Sequence, residues 1–276
     1  MANPTTYYRP KTLAEALKLA EQPGAIPLAG GGMALGSLEP PYQTIIDVQD
    51  VPEMRRVEHH ANGATFGAAV SLETVLEWSG LPAAFQRALT RAIPLNLRDN
   101  ISIGESLRLW QTPMLREWIT TLLAHDAGIE AIGADGEPAW GNMIELLAGD
   151  QLEQTFITAL NLPALRQGHT LGAAYVARTP ADAPIVNAAA FIYVDGRRVE
   201  SEFVFVGGAS EPPIMQVSLE TLVGNPLDEA NIASAVKAVA PQVDPVGDYL
   251  GSAEYRREMA RVVVQRALLE CMGQIP

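Results

Sequence analysis

The stretch that decides the fold is Leu28-Ala29-Gly30-Gly31-Gly32-Met33, which ends a short apolar run beginning at Ala25. Residues 25–29 predict a strand, and the glycines after it allow the backbone to turn tightly and to present N–H groups to an anion. The stretch is neither a Walker loop, which needs a following Gly-Lys-Ser/Thr, nor the Gly-x-Gly-x-x-Gly pattern of dinucleotide-binding folds. It therefore indicates either a pyrophosphate-binding turn or an ordinary glycine loop, and the residues alone leave both open.

The residues on either side of this loop predict a helix and a second strand. Thr12 and Glu15 form a capping-box pattern at the start of a helix, and Pro23-Gly24 ends it. Residues 44–48 (TIIDV) predict a buried strand. A strand, a glycine turn and a strand in this order are typical of a small nucleotide-binding unit.

A second candidate loop is Asn100-Ile101-Ser102-Ile103-Gly104. The Ser102 hydroxyl and the backbone at Gly104 would suit a second set of phosphate oxygens, whereas a tight structural turn would use the same residue types. Residues 95–107 around it are rich in turn formers and show no helical period, so we predict no regular element there.

The rest of the chain is predicted to alternate hairpins with helices. Hairpin turns are predicted at Asn62-Gly63, Asp135-Gly136 and Asp195-Gly196, and the last is the strongest of these signals. Helices are predicted at residues 71–78, 82–93, 113–125, 216–223, 227–239 and 252–272. Changes of pattern near residues 53 and 168 divide the chain into domains 1–53, 54–168 and 169–276.

The composition limits the classes of function. The 276 residues include 19 Lys and Arg against 32 Asp and Glu, a net charge of −13, which argues against nucleic-acid binding because phosphate contacts need clustered basic side chains. The N-terminus lacks a signal-peptide pattern, and no run approaches the ~18 apolar residues that span a bilayer. We therefore predict a cytoplasmic protein without membrane insertion.

The residues that commonly carry out catalysis or bind metals form no recognisable pattern. His59, His60, His125 and His169 lack metal-ligand spacing, and no Gly-x-Ser-x-Gly elbow is present. Cys271 is the only cysteine, so an iron–sulfur cluster or a Cys-based zinc site would have to lie on a partner chain. We predict no catalytic side chain and no metal site.

Motifs spread over nearly the whole chain carry a resemblance to a known family. They are YRPKTLAEAL at residues 8–17, LAGGG at 28–32, IIDV at 45–48 with VPEM at 51–54, FGAAVSL at 66–72, and GSAEYRR at 251–257. In this order they resemble the FAD-binding medium subunit of the molybdenum hydroxylases, the family of the carbon monoxide dehydrogenase medium subunit and the flavin domain of xanthine dehydrogenase.

The resemblance implies both a fold and a site. The fold would be α+β, with a two-subdomain FAD-binding domain of the PCMH type followed by a C-terminal domain that has an antiparallel sheet and a helical bundle. FAD would lie between the two N-terminal subdomains, with its pyrophosphate held by two loops. The residues implied are Ala29, Gly30, Gly31, Gly32 and Met33 in the first loop and Ser102, Ile103 and Gly104 in the second.

The resemblance also implies a role and partners. The chain would transfer electrons within a molybdopterin-dependent oxidoreductase, between an iron–sulfur small subunit and an acceptor, beside a molybdopterin-containing large subunit. Self-association into a homo-oligomer is a further option. No acid or base is needed on this chain, because the chemistry belongs to the cofactor.

The second loop departs from the family pattern Thr-Ile-Gly-Gly-Asn, because Glu105 and Ser106 replace its last two residues. In the first loop Met33 replaces the family's threonine. Glu105 would place negative charge beside the pyrophosphate unless its side chain points to solvent. These departures motivate a second hypothesis, in which the chain is a cofactor-free paralogue that acts as a scaffold or assembly protein.

Overall fold

The computed structural model describes residues 5–31, 43–133, 136–143 and 155–275. The chain divides into two compact units. Unit 1 comprises Met1–Leu81, Pro94–Trp110 and Asp126–Ala164, and unit 2 comprises Pro82–Ile93, Gln111–His125 and Leu165–Pro276. The predicted domain boundaries at residues 53 and 168 stay a prediction.

Strands and helices alternate along the described residues. The strands are β1 (Thr6–Tyr8), β2 (Ala25–Leu28), β3 (Thr44–Asp47), β4 (Val57–His60), β5 (Gly63–Gly67), β6 (Gly128–Ile132), β7 (Pro138–Asn142), β8 (Phe156–Pro163), β9 (His169–Val176), β10 (Val186–Asp195), β11 (Arg198–Gly207) and β12 (Ile214–Val217). The α-helices are α1 (Leu13–Ala20), α2 (Leu72–Leu76), α3 (Ala83–Ala92), α4 (Leu95–Arg98), α5 (Ile103–Arg108), α6 (Arg116–Ala124), α7 (Glu229–Ala235) and α8 (Ala253–Gly273). Single 3-10 turns lie at Pro52–Arg55, Glu220–Leu222 and Val236–Ala238. The predicted α+β class is confirmed.

The first sheet of unit 1 is parallel and positions the first glycine loop. Its strand order is β1-β3-β2, and strand β2 runs directly into Gly30. The predicted cap of α1 is present, because Thr12 accepts a hydrogen bond from the N–H of Glu15 and the Glu15 carboxylate accepts one from the N–H of Lys11. The first pairing satisfies one of the donors that a helix start leaves open, and the second holds the residue before the cap.

The second sheet of unit 1 is antiparallel and positions the second loop. Its order is β4-β5-β8-β6-β7, and the predicted hairpin turn at Asn62-Gly63 joins β4 to β5. All five residues of β5 are buried because it lies between two other strands. Helices α2 and α5 follow along the chain, and residues Ser71 and Ser102 at their starts pair as an isolated antiparallel bridge.

Unit 2 is built on a four-stranded antiparallel sheet of order β12-β11-β10-β9. The predicted Asp195-Gly196 turn joins β10 to β11, and Gly196 has a φ of +60°. Helix α8 packs on β9 and β10, while α6 packs on β10 and β11. A Cβ on Gly172 of β9 would overlap with the Ala267 carbonyl oxygen, so this glycine permits the close approach of α8 to the sheet.

Two predicted segments differ from the structure. Residues 216–223 were expected to be a helix, but the prediction was wrong: Ile214–Val217 is strand β12 and Glu220–Leu222 is a single 3-10 turn. Pairing of this short segment with β11 along the sheet edge outweighs its local helical spacing. Residues 95–107, predicted to be irregular, contain α4 and α5, which have four and six residues and are too short to show a helical period.

Candidate functional site

The two candidate loops of unit 1 lie against each other. A Cβ on Gly30 would overlap with the main-chain carbonyl oxygen of Asn100, so the first loop touches the chain that leads into the second. A cavity of about 20 Å³ lies between them, and its lining includes Ala29, Ser102 and Gly104. The fold therefore brings Ala29, Ser102 and Gly104 together, whereas Gly31 and Ile103 do not line this cavity. Gly32 and Met33 lie outside the described residues.

The first loop contains two consecutive glycines with an unusual backbone conformation. Gly30 and Gly31 both have positive φ, +87° and +74°, a region that residues with a Cβ rarely adopt. Within the described ranges, neither glycine donates its N–H to a main-chain carbonyl. Two consecutive glycines of this kind offer backbone N–H donors with no side chain in front of them, so the first loop fits a pyrophosphate-bearing cofactor such as FAD.

The second loop is the N-terminal turn of α5, and its N–H groups already have partners. The N–H of Ile103 donates to the Val70 carbonyl oxygen at 2.9 Å, and that of Gly104 donates to the Ala68 carbonyl oxygen at 2.8 Å. The N–H of Glu105 donates to Ser102 Oγ at 3.2 Å, which makes Ser102 the N-cap of the helix. The main chain at Ile103 and Gly104 therefore fastens α5 to the residues that follow β5.

The glycine in this loop also has a packing role. A Cβ on Gly104 would lie 3.2 Å from the Ala68 carbonyl oxygen and 3.3 Å from its Cβ. Gly104 was predicted to bind the cofactor, whereas the structure supplies an internal reason for glycine at this position. The Ser102 hydroxyl can still donate its hydrogen, because it is the oxygen that accepts the capping bond.

Glu105 does not point into solvent. It is only 3% exposed and lines the cavity between the loops. The adjacent Ser106 is fully buried and its hydroxyl donates to the Ile103 carbonyl oxygen at 2.8 Å. A carboxyl group is thus part of the wall of the candidate phosphate site. This arrangement is less favourable for binding a phosphate than one in which the Glu105 side chain points to solvent.

Arg108 is a cation at the same cavity that sequence reasoning missed. It lines the cavity together with Glu105, and its Nη2 donates to the Thr155 carbonyl oxygen at 3.0 Å. The spacing of three residues between Glu105 and Arg108 places both on one face of a helix. The spacing could not be interpreted from the sequence, because no helix was predicted over these residues.

Two family models match the chain. The "FAD binding domain in molybdopterin dehydrogenase" matches residues 3–165, and the "CO dehydrogenase flavoprotein C-terminal domain" matches residues 174–271. Among curated proteins, the glyceraldehyde dehydrogenase medium chain of Sulfolobus acidocaldarius is 26% identical, with 96% of this chain and 97% of that protein covered. The carbon monoxide dehydrogenase medium chain of Afipia carboxidovorans is 24% identical, with 95% and 94% covered.

Solved structures agree with this fold. A chain of the carbon monoxide dehydrogenase of Hydrogenophaga pseudoflava matches with a TM-score of 0.87 at 19% identity, and both chains are covered completely. A chain of the quinoline 2-oxidoreductase of Pseudomonas putida 86 matches with a TM-score of 0.84 at 21% identity, again over the full length of both. Among the described residues, no helix is both long and apolar enough to cross a membrane. The chain belongs to the FAD-binding medium-subunit family of the molybdenum hydroxylases, with the FAD-binding domain first and the CO dehydrogenase flavoprotein C-terminal domain after it.

Proposed function

We propose that this chain binds FAD and transfers electrons as one subunit of a molybdopterin-dependent dehydrogenase complex. The observation that carries the proposal is the positive-φ pair Gly30 and Gly31, located within a domain of the FAD-binding family. The full-length match to medium chains of such dehydrogenases supports the same role. Bound FAD would supply the redox chemistry, since flavins accept and release electrons.

The residues of the chain would position the cofactor rather than react with it. Gly30 and Gly31 would donate backbone N–H groups to the pyrophosphate, and the buried Ala29 would hold the end of β2 in place. Ser102 would add a hydroxyl donor. Gly32, Met33, Ile103 and Gly104 complete the proposed set, the last two through packing, because their N–H groups already donate to main-chain oxygens.

The partners would hold the remaining redox centres. An iron–sulfur small subunit would deliver electrons, and a molybdopterin large subunit would oxidise the substrate. The single cysteine of this chain is Cys271, which is buried, so a cluster ligated by thiolates belongs on another chain. The relatives are named as chains or subunits of larger enzymes, which supports this arrangement. A cytoplasmic location stays a prediction, as does self-association.

A second candidate function is a cofactor-free scaffold, and the buried Glu105 favours it. At ~5 Å and an effective dielectric constant near 20, each like-charge pair between a carboxylate and a phosphate costs about 3 kcal/mol. Two phosphate charges would then lower the affinity on the order of a thousandfold or more. The internal hydrogen bonds of the second loop would persist without a cofactor, so this loop folds the same way in either case.

The absorption spectrum of the purified protein decides between the two functions. Flavin bands near ~370 and ~450 nm support the proposed electron-transfer role. A colourless protein that fails to bind FAD at ~100 μM has an affinity weaker than about −5.5 kcal/mol, and that result would overturn the proposal.

A variant series then locates the cause of a failure to bind. Glu105→Gly combined with Ser106→Asn restores the last two residues of the family loop, and FAD binding by this variant alone would assign the loss to those residues. Glu105→Gln removes the charge while keeping the size of the side chain. Glu58→Gln is the matched control, because this exposed strand residue makes the same change of charge away from the cavity.

A further inference from the structure

Unit 2 contains a cluster of polar side chains that the proposed flavin site does not use. Arg116 comes from α6, Arg256 from α8 and Asn187 from β10, and they surround the backbone of Gly207 and Gly208. Asn187 is fully buried and Arg256 is only 5% exposed. A Cβ on Gly207 would overlap with Asn187 Oδ1 and would lie 2.9 Å from Arg116 Cδ, so these two side chains lie against the same side of this glycine.

Main-chain oxygens hold the ends of both guanidinium groups. Arg256 Nη1 donates to the carbonyl oxygens of Ile185 and Gly208, at 2.8 Å each. Arg116 Nη1 donates to the carbonyl oxygen of Pro184 at 3.1 Å. The two arginines are therefore fixed next to each other by adjacent stretches of backbone.

Several polar atoms of this cluster have no hydrogen-bond partner within the described part of the chain. They are Nδ2 and Oδ1 of Asn187, Nε of Arg116 and Nε of Arg256, and all four are buried. Buried polar groups in folded proteins are nearly always paired, and a group that lacks a protein partner indicates a bound water or ion. Three of these atoms are donors, and the fourth is the amide oxygen of Asn187.

The charges of the cluster are not balanced. Asp248 Oδ1 accepts a hydrogen bond from Arg256 Nη2 at 2.7 Å, but Asp248 is 45% exposed and Arg116 forms no ion pair with any described residue. Burial lowers the pKa of Arg116 to about 10, the neighbouring charge of Arg256 adds to this effect, and Asp248 opposes it. Arg116 thus remains cationic at neutral pH, and among the described residues Asp248 is the one carboxylate that pairs with either arginine.

We infer that Arg116, Arg256 and Asn187 form a binding site for a small monovalent anion inside unit 2. A water molecule would satisfy the orphaned donors but would leave the excess positive charge in place, whereas an anion satisfies both. The Asn187 oxygen suits an ion that carries a hydroxyl hydrogen, such as bicarbonate, or a water bound beside the ion.

The test is calorimetric and uses the purified full-length protein at pH 7.5. Ionic strength is held constant with a bulky organic anion while nitrate, chloride or bicarbonate replaces it, so that general screening does not change. We expect a saturable rise in the midpoint of thermal unfolding, as for any ligand that binds the native state. A larger rise with bicarbonate than with nitrate would assign a role to the Asn187 oxygen. An unchanged midpoint with all three ions would overturn the inference and leave water as the occupant.

Variants assign the effect to the cluster. Arg116→Met should weaken the apparent affinity at least tenfold, and Asn187→Leu should weaken it while leaving both charges in place. Arg178→Met is the matched control, because Arg178 lies in the same unit and is 63% exposed. If Arg116→Met does not fold by circular dichroism, Arg116→Lys keeps the charge but removes Nε. An anion effect of full size in the folded Arg116 variant would refute this assignment.

Discussion

The contact between the two loops of unit 1 can be tested by adding one methyl group. Gly30→Ala places a Cβ where it overlaps with the Asn100 carbonyl oxygen, at a residue whose φ is +87°. The positive φ alone costs an alanine about 1–2 kcal/mol. Relief of the overlap requires backbone to move, and overpacking of this kind adds roughly 1–3 kcal/mol. We therefore expect unfolding to become easier by about 2–5 kcal/mol.

Gly136→Ala is the control that separates these two effects. Gly136 has nearly the same φ, +81°, but a Cβ there meets no atom within 4 Å. Its alanine variant should lose only about 1–2 kcal/mol, the cost of the conformation itself. The difference between the two variants, about 1–3 kcal/mol, then measures how closely the first loop packs against Asn100.

Urea titration followed by tryptophan fluorescence and by circular dichroism gives the required free energies. With a slope of roughly 2–3 kcal/mol/M, the midpoint for Gly30→Ala should fall below that of Gly136→Ala by about 0.3–1.5 M. Equal midpoints for the two variants would refute the reasoning, because they would mean that the first loop can accept a side chain and does not touch Asn100 in solution.

Three further predictions concern single residues. Ser102→Ala should destabilise the protein by about 1 kcal/mol in the same urea assay, because the N–H of Glu105 loses its cap, whereas Ser102→Thr should retain most of the stability. The hydrogen bond from Arg256 lowers the pKa of Asp248. The ionised Asp248 therefore stabilises the fold above the ordinary aspartate pKa, and this contribution is lost as the pH falls through the lowered pKa. Asp248→Asn should flatten the pH dependence of the free energy of unfolding in that acidic range. Burial raises the pKa of Cys271 to about 12, so iodoacetamide should label the thiol at neutral pH only after denaturant unfolds the chain, and rapid labelling of the native protein would contradict the buried placement.

Local turn chemistry made much of the fold predictable. Asn62-Gly63 and Asp195-Gly196 locate two hairpins because glycine accepts positive φ where other residues do not, and Thr12 with Glu15 locates the start of α1. Strand β9 was missed because its residues, HTLGAAYV, do not alternate between apolar and polar. This strand forms because it pairs with β10 and because α8 packs on it at Gly172. Neither contact produces a recognisable pattern in the sequence of the strand itself.

The candidate site was only partly predictable, because residues of the second loop that suit a phosphate also have roles in folding. Ser102 and Gly104 were predicted to bind the cofactor, and that stays a prediction. The structure gives each an internal function: the first caps α5, and the second lets α5 lie against Ala68. Selection for folding alone would therefore keep these residues in a chain that had lost FAD. The first-loop glycines differ, because the N–H groups of Gly30 and Gly31 donate to no main-chain oxygen in the described ranges. Gly30 also has an internal reason to be glycine, because a Cβ there would overlap with the Asn100 carbonyl oxygen. The affinity for FAD therefore depends on whether these N–H donors outweigh the buried carboxyl group of Glu105.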